Sequence, residues 1–195
     1  MKTLIHACCA PCLLAPAQAL RDEGLELAAR FYNPNIHPLL EFRKRVKAVR
    51  VFMEFDPLPM TIDEEYGLDL FIERIYDPAP ARRCENCYAV RLGAAAAFAR
   101  ANGFDAFTTT LLGSPHQDHD LIRSVGERAV DEAGVAFLYR DFRPLHERSL
   151  DMAKRRRLYR QSYCGCICSE YERFRNTTRE LYRGSTAASR GAGDA

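Results

Sequence analysis

Apolar positions along this chain follow two periods that alternate. Short apolar or alternating runs at 2–7, 25–32, 57–62, 104–112 and 135–139 read as strands. Between and after them, apolar residues three and four apart mark helices: Leu13–Arg21 behind Pro11 and closed near Gly24, Leu39–Phe55, Arg82–Asn102 closed by Gly103, Asp118–Ala133, Glu147–Arg160 and Ser169–Tyr182. The acidic stretch Asp63–Asp77 reads as mostly helical, and Pro78 and Pro80 break it from the next helix. Strands alternating with helices predict an α/β fold: one domain over 1–183, with a mostly parallel sheet covered by helices and a helical C-terminal part. Residues 184–195 are small, polar and glycine-rich and are expected to form a disordered tail. In such sheets the ligand site lies beyond the C-terminal ends of the strands. The loops after Leu4-Ile5 and after Thr108–Leu112 both fall there.

A chain of 195 residues is long enough to bury a real core. No apolar run approaches membrane-spanning length, so no membrane partner is expected. Only Leu4 and Ile5 are strongly apolar before His6 and Cys8, which is too little for an export signal. The expected location is therefore the cytoplasm, a reducing compartment that favours metal or redox roles for clustered thiols over structural disulfides. The net charge of +2 does not by itself argue for nucleic acid. The positive residues are clustered, however. Arg43, Lys44, Arg45, Lys47 and Arg50 share the 39–55 helix, and Lys154, Arg155, Arg156, Arg157 and Arg160 form a second run. Arg43, Lys44, Arg45, Lys154, Arg155, Arg156 and Arg157 are candidate phosphate contacts, and the plain alternative is a solvated helix face.

The eight cysteines change the picture most, because they fall in three groups: Cys8/Cys9/Cys12, Cys84/Cys87 and Cys164/Cys166/Cys168. A lone buried cysteine is ordinarily just a small apolar residue, but close spacing repeated three times points to chemistry. Cys84-x-x-Cys87 has the spacing of two ligands to one metal centre, and so has Cys9-x-x-Cys12. Cys8 and Cys9 are adjacent, so both reach one centre only if the chain turns sharply. Cys164-Gly165-Cys166 differs in kind. A disulfide across one residue is strained, which suits an exchangeable redox couple, and Gly165 eases the backbone. Zinc in a closed four-thiolate site and an iron–sulfur cluster are not distinguished by spacing alone. Metal-free thiol–disulfide exchange at Cys9/Cys12 is a third reading, although only one strand precedes that motif.

Six motifs in order carry a resemblance: His6-Ala7-Cys8-Cys9-Ala10-Pro11-Cys12, Phe31–Pro38, Arg83–Leu92 around Cys84-Glu85-Asn86-Cys87, Phe107–Pro115, Asp141-Phe142-Arg143, and Tyr159–Cys166. Over roughly residues 3 to 170 the chain resembles the epoxyqueuosine reductase family of the QueH type. The resemblance implies a Rossmann-like, nucleotide alpha-hydrolase type of fold. It also implies reduction of epoxyqueuosine to queuosine at the wobble position of tRNA with a GUN anticodon. It implies a [4Fe-4S] cluster on Cys8, Cys9, Cys84 and Cys87, a redox-active pair Cys164/Cys166, and an external electron donor. A second, mononuclear iron is associated with the family, and Cys12 is the candidate ligand. Cys168 departs from the pattern, where an aromatic residue is more usual, and is read as a packed residue.

Removing an epoxide oxygen also needs protons. Asp118 and Asp141 are the candidate donors, with His116, His119 and Asp120 nearby, and an acidic helix start is the plain alternative for the 118–120 run. The candidate tRNA contacts are Arg43, Lys44, Lys154, Arg155, Arg156 and Arg157. Tyr32, Tyr88 or Tyr163 could stack on a splayed base, His37 could touch substrate, and His6 is expected to pack beneath the cysteine loop.

Protein purified without oxygen separates the readings. Iron with visible charge-transfer absorbance is the expected outcome. A colourless zinc protein would favour a zinc-stapled RNA-binding module instead, and metal-free disulfide reduction would favour a thiol–disulfide oxidoreductase.

Overall fold

The computed structural model describes residues 1–177. Five strands form one parallel sheet in the order β3-β2-β1-β4-β5: β1 Lys2–His6, β2 Glu26–Phe31, β3 Met60–Ile62, β4 Ala106–Thr109 and β5 Ala136–Phe137. The central strand β1 pairs on both sides, Ile5 lying opposite Ala29 of β2 and Thr108 of β4. Leu4 and Ile5 are both fully buried, which is why this strand reads as an apolar run rather than an alternation. The chain winds outward from β1 to β3, then returns to β4 on the other side of β1. With right-handed crossovers, that reversal puts the helices on both faces.

The helices are α1 Ala10–Asp22, α2 Leu39–Phe55, the short α3 Leu68–Leu70, α4 Pro80–Ala101, α5 His119–Ala133, α6 His146–Arg155 and α7 Ile167–Phe174. Helix α1 packs against α2 and α6, while α4 packs against α5. This is the α/β architecture with a helical C-terminal part that the alternation of periods predicts. Phe31, Phe52, Leu92 and Phe107 are fully buried in one continuous core. Each contributes on the order of 1.5–3 kcal/mol from apolar burial. Buried Ala95, Ala96 and Ala99 face the core from α4.

Several boundaries differ from the sequence expectation, each for a local reason. The run 104–112 is a strand only over Ala106–Thr109; Thr110–Gly113 is a 3-10 turn, opened by the Thr109 hydroxyl oxygen accepting from Leu111 N at 3.2 Å. Pro78 and Pro80 do separate the acidic segment from α4, but α4 starts at Pro80 rather than Arg82, because a first-turn proline lacks only a donor that would have had no partner. The 63–77 stretch is helical only over 68–75, where α3 continues into a π turn, Phe71–Ile75, that buries Phe71 and Ile75. Helix α6 stops at Arg155 rather than Arg160, and the chain turns there to bury Leu158, whose N–H returns to the Ala153 carbonyl. The last helix runs Ile167–Phe174, starting two residues before the expected Ser169 and closing at Arg175, while the expected end at Tyr182 and the tail 184–195 lie outside the described residues. Among the described residues, no helix is long and apolar enough to cross a membrane.

Two glycines give contrasting expectations. A Cβ on Gly67 would lie 2.6 Å from Pro34 Cα, a backbone atom of the Asn33–Pro38 loop, whereas a Cβ on Gly93 in α4 meets nothing within 4 Å. Gly67→Ala should destabilise by about 1–3 kcal/mol through overpacking. Gly93→Ala should stabilise by about 0.5–1 kcal/mol through helix propensity. Denaturant unfolding of the two variants checks both signs.

Candidate metal centre and active-site cavity

The crevice opens where β1 and β4 part, at the point where the winding reverses. Beyond β1 the chain is held by Ala7 N on the Arg30 carbonyl at 2.8 Å and by Cys8 N on Thr110 Oγ1 at 2.9 Å. Cys9 is extended, with φ −170° and ψ 163°, and it is the N-cap of α1; its sulfur accepts from Cys12 N at 3.3 Å. Strand, cap and first helical turn therefore supply the sharp turn that adjacent cysteines require. The sulfurs of Cys8, Cys9 and Cys12 lie within 4.8 Å of one another, a grouping able to hold a metal ion. Cys9 Sγ is 3.8 Å from Cys8 Sγ and 2.7 Å from Cys12 Sγ.

Neutral donors surround these sulfurs. The Thr110 hydroxyl donates to Cys8 Sγ at 3.1 Å, and Gln161 Nε2 donates to Cys9 Sγ at 2.9 Å and reaches Cys12 Sγ at 3.6 Å. Hydrogen bonds from Cys12 and Cys9 hold the Cys8 thiol well below its ordinary range against the effect of burial, with Arg91 and Thr110 assisting. Burial pushes Cys9 up, and donation to Cys8 and Cys9 holds Cys12 up.

His6 packs beneath this loop. Its Nε2 faces the Tyr32 carbonyl at 3.1 Å, so that nitrogen carries the proton, and Nδ1 accepts from the Thr109 hydroxyl at 2.8 Å. Burial, with Arg91 nearby, lowers its pKa to about 3 and keeps the ring neutral.

The second thiol pair sits on the first turns of α4, Cys84 exposed and Cys87 half-buried. Burial pushes Cys84 up to about 11 and raises Cys87. One turn further on, Arg91 is buried; its Nη1 lies 3.8 Å from Cys87 Sγ and its Nη2 donates to Asn33 Oδ1 at 2.6 Å. Asn33 in turn donates to the Ala7 carbonyl at 2.9 Å. Arg91 therefore ties the α4 thiols to the loop before Cys8. Arg83 is also buried and donates to Glu172 at 2.6 Å. The Nε atoms of Arg83 and Arg91 are buried with no hydrogen-bond partner among the described residues.

The third group is braced from behind. Arg45 is 2 % exposed; it pairs with Glu41 and donates to the Cys164 and Tyr163 carbonyls, both at 3.0 Å. Tyr159 donates its hydroxyl to the other Glu41 oxygen. Gly165 has φ +124°, and a Cβ there would meet Ile36 Cγ1 at 3.0 Å and Arg45 Nη1 at 3.1 Å, so glycine is needed for both backbone and space. Cys164 is exposed with its sulfur 2.9 Å from Ser169 Oγ. Cys166 is buried against Phe71 and Ile75, which pushes its thiol up to about 12, and Cys168 packs on the same cluster.

All three groups open on one cavity of about 890 Å³, whose wall includes Cys8, Cys12, Cys84, Cys87, Cys164 and Cys166. Cys9 lies one layer behind, and Cys12, left outside the expected four-thiol set, belongs to the tight trio. The other candidates are placed unevenly. Asp118 reaches the cavity but caps α5, accepting from Leu121 N at 3.0 Å. Asp141 is gripped by Arg143 at 2.7 Å, which holds its carboxyl down at about 2. His116 lines the cavity, buried His119 turns its Nε2 to the Ser114 carbonyl at 3.3 Å, and Asp120 is exposed in the first turn of α5. Tyr88 and Tyr163 line the cavity, Tyr88 donating to Gln117 and Tyr163 to the His37 carbonyl. Tyr32 lies under the Arg30 guanidinium, and His37 Nδ1 meets the Tyr66 hydroxyl at 2.8 Å. Arg43, Lys44, Lys154, Arg155, Arg156 and Arg157 are exposed, Arg156 stacking on Phe55. Arg45 is not a surface contact, because its charge is spent on Glu41 and the 163–164 carbonyls. Sequence reasoning missed Arg83, Arg91, Gln161 and His146 on the cavity wall. The four-residue step from Cys87 to Arg91, one helical turn, is the signal that could have found Arg91.

A family model described as Epoxyqueuosine reductase QueH matches residues 3–172. The chain is similar to the epoxyqueuosine reductase QueH of Dehalococcoides mccartyi, 35% identical over 173 residues that cover 89% of this chain and 94% of that protein. It is similar to that of Thermotoga maritima, 35% identical over 180 residues, covering 87% and 91%. For the Haemophilus influenzae protein the identity is 35% over 176 residues, covering 86% and 71%.

The neutral, buried His6 has a pH signature. Its native pKa of about 3 lies below the ordinary 6.5, so the unfolded chain takes up a proton that the native ring refuses. Stability is unaffected above pH 6.5 and is lost as pH falls toward 3, by up to about 1.4 kcal/mol per pH unit. Comparing denaturant midpoints across that window, His6→Gln should flatten the slope relative to the natural protein; an unchanged slope would remove His6 as its source.

Proposed function

This chain belongs to the epoxyqueuosine reductase QueH family, and from that premise we propose that it reduces epoxyqueuosine to queuosine at the wobble position of tRNA. The conversion takes two electrons and two protons: both epoxide C–O bonds break, the alkene forms, and the oxygen leaves as water. The observation that carries the reading is the convergence of three separate thiol groups on one cavity, beside three buried arginines.

The residues present fit an iron–sulfur centre. The donor set is sulfur alone, the sulfurs receive hydrogen bonds from Thr110, Gln161 and Arg91, and Arg45, Arg83 and Arg91 offset the negative charge that thiolates and sulfides bring. We assign Cys8, Cys9, Cys84 and Cys87 to a [4Fe-4S] cluster, Cys12 to a second iron, and Cys164 with Cys166 to a redox couple. When bound, such a centre supplies low-potential electrons one at a time, which no side chain provides, and iron as a Lewis acid. The protein's own part is to hold the thiols, exclude water and admit a single flipped nucleotide to the cavity. Gly165 and Arg45 hold the Cys164 carbonyl inward while leaving its sulfur exposed to exchange. The exposed cations on α2 and at the end of α6 suit the phosphates of the tRNA strand.

Reduced, metal-loaded protein should convert epoxyqueuosine-containing tRNA to queuosine-containing tRNA; no conversion with the visible absorbance intact would sink the reading. Reversing the charges of Lys154, Arg155, Arg156 and Arg157 together should weaken tRNA binding by about tenfold or more at moderate salt and leave the absorbance unchanged. Equal affinity at matched salt would remove that surface from the account.

A further inference from the structure

Removal of the epoxide oxygen as water needs a group that delivers a proton inside the cavity, and the two carboxylates singled out by sequence do not serve. Asp141 is paired with Arg143 and held ionised, and it is not on the cavity wall. Asp118 is on the wall, but its carboxylate is engaged as the cap of α5. The Tyr88 phenol donates its proton to Gln117 Oε1 at 2.8 Å. His119 is turned to a backbone carbonyl and does not line the cavity.

His116 lines the cavity but sits exposed with no side-chain hydrogen bond among the described residues to orient it, and His146 is placed differently. It begins α6 and lines the cavity. Its Nδ1 lies 3.1 Å from the Gly113 carbonyl. A carbonyl oxygen only accepts, so Nδ1 carries a proton permanently and the exchangeable site is Nε2. Among the described residues no hydrogen bond is found at Nε2. The anchor also sets direction. Helices α6 and α1 touch where Ala15 N donates to Ser149 Oγ at 3.2 Å. His146 lies three residues before Ser149 and Cys12 three residues before Ala15, so each is one turn from that contact, and both line the same cavity. The imidazole therefore lines the same cavity as Cys8 and Cys12.

We propose that His146 is the proton donor of the reduction, giving its Nε2 proton to the departing epoxide oxygen and recovering one from solvent between turnovers. The inference rests on the function proposed above. The step balances with that reaction: the electron pair comes from a low-potential one-electron reductant acting twice, the C–O bonds break, one proton reaches oxygen from Nε2 and the second from water, and water leaves. The fixed Nδ1–H···O=C bond keeps Nε2 as the only nitrogen that exchanges its proton during turnover.

The test uses the full, metal-loaded chain with dithionite as reductant and epoxyqueuosine-containing tRNA. His146→Gln should slow single-turnover conversion by about 10²- to 10⁴-fold. It should leave tRNA affinity and visible absorbance as they were. The rate of the natural protein should fall with rising pH, and that limb should be missing in the variant. Added imidazole should restore part of the rate. A variant that keeps the natural rate and limb overturns the proposal. So does one whose slow rate accompanies lost absorbance or lost tRNA affinity, which would make His146 a structural residue. If the natural protein itself gives no conversion, the function fails and this inference with it; conversion by both proteins equally defeats the inference alone.

Discussion

Several thiols gathered on one crevice have positive charge buried beside them, and much of this structure is arranged around that pairing. An isolated buried guanidinium is among the least favourable groups to desolvate, yet Arg45, Arg83 and Arg91 are each 5 % exposed or less. Each has carboxylate, carbonyl or amide partners, and Arg91 also faces sulfur. Removing the thiols would strand the charge on Arg91, and removing Arg91 would raise the cost of ionising Cys8 and Cys87. The two kinds of residue are therefore explicable only together.

The same arginines fasten the three thiol segments to one another. Arg91 connects α4 through Asn33 to the Ala7 carbonyl, just before the cysteine loop. Arg45 connects α2 to the 163–164 backbone, while His37 N reaches the Gly165 carbonyl at 2.7 Å. The Asn33–Pro38 loop thus stands between all three groups, its Asn33 and His37 serving as struts and its Pro34 in close contact with Gly67. A motif of turn formers that looks like a simple connection is in fact the bracket of the site.

Much of the architecture was legible from periodicity alone. Buried runs such as Leu4-Ile5 and helical faces such as that of α2 are local patterns, and a parallel sheet follows from their alternation. The misplaced ends have non-local causes. The strand at 104–112 shortens because Thr109 and Thr110 turn their hydroxyls to His6, Leu111 and Cys8, partners a hundred residues away or across a turn. Helix α6 shortens because Leu158 finds cover in the core. The acidic 63–77 segment is helical only where Phe71 and Ile75 meet the buried Cys166.

By itself the sequence determined the α/β class, the cysteine groups and their link to one family, because composition, spacing and motif order are local properties that survive without coordinates. Tertiary structure decided which thiols stand together, that Cys12 joins Cys8 and Cys9 while Cys9 withdraws behind them, and that Arg45 is a strut and not a surface charge. It also decided that His146 and Cys12 line one cavity. Those facts depend on how β1 and β4 part and on where α1 meets α6 at Ala15 and Ser149, contacts between residues 134 positions apart. Burial, which raises the thiol pKa of Cys9, Cys84, Cys87 and Cys166, is created by that packing and exists nowhere in the order of residues.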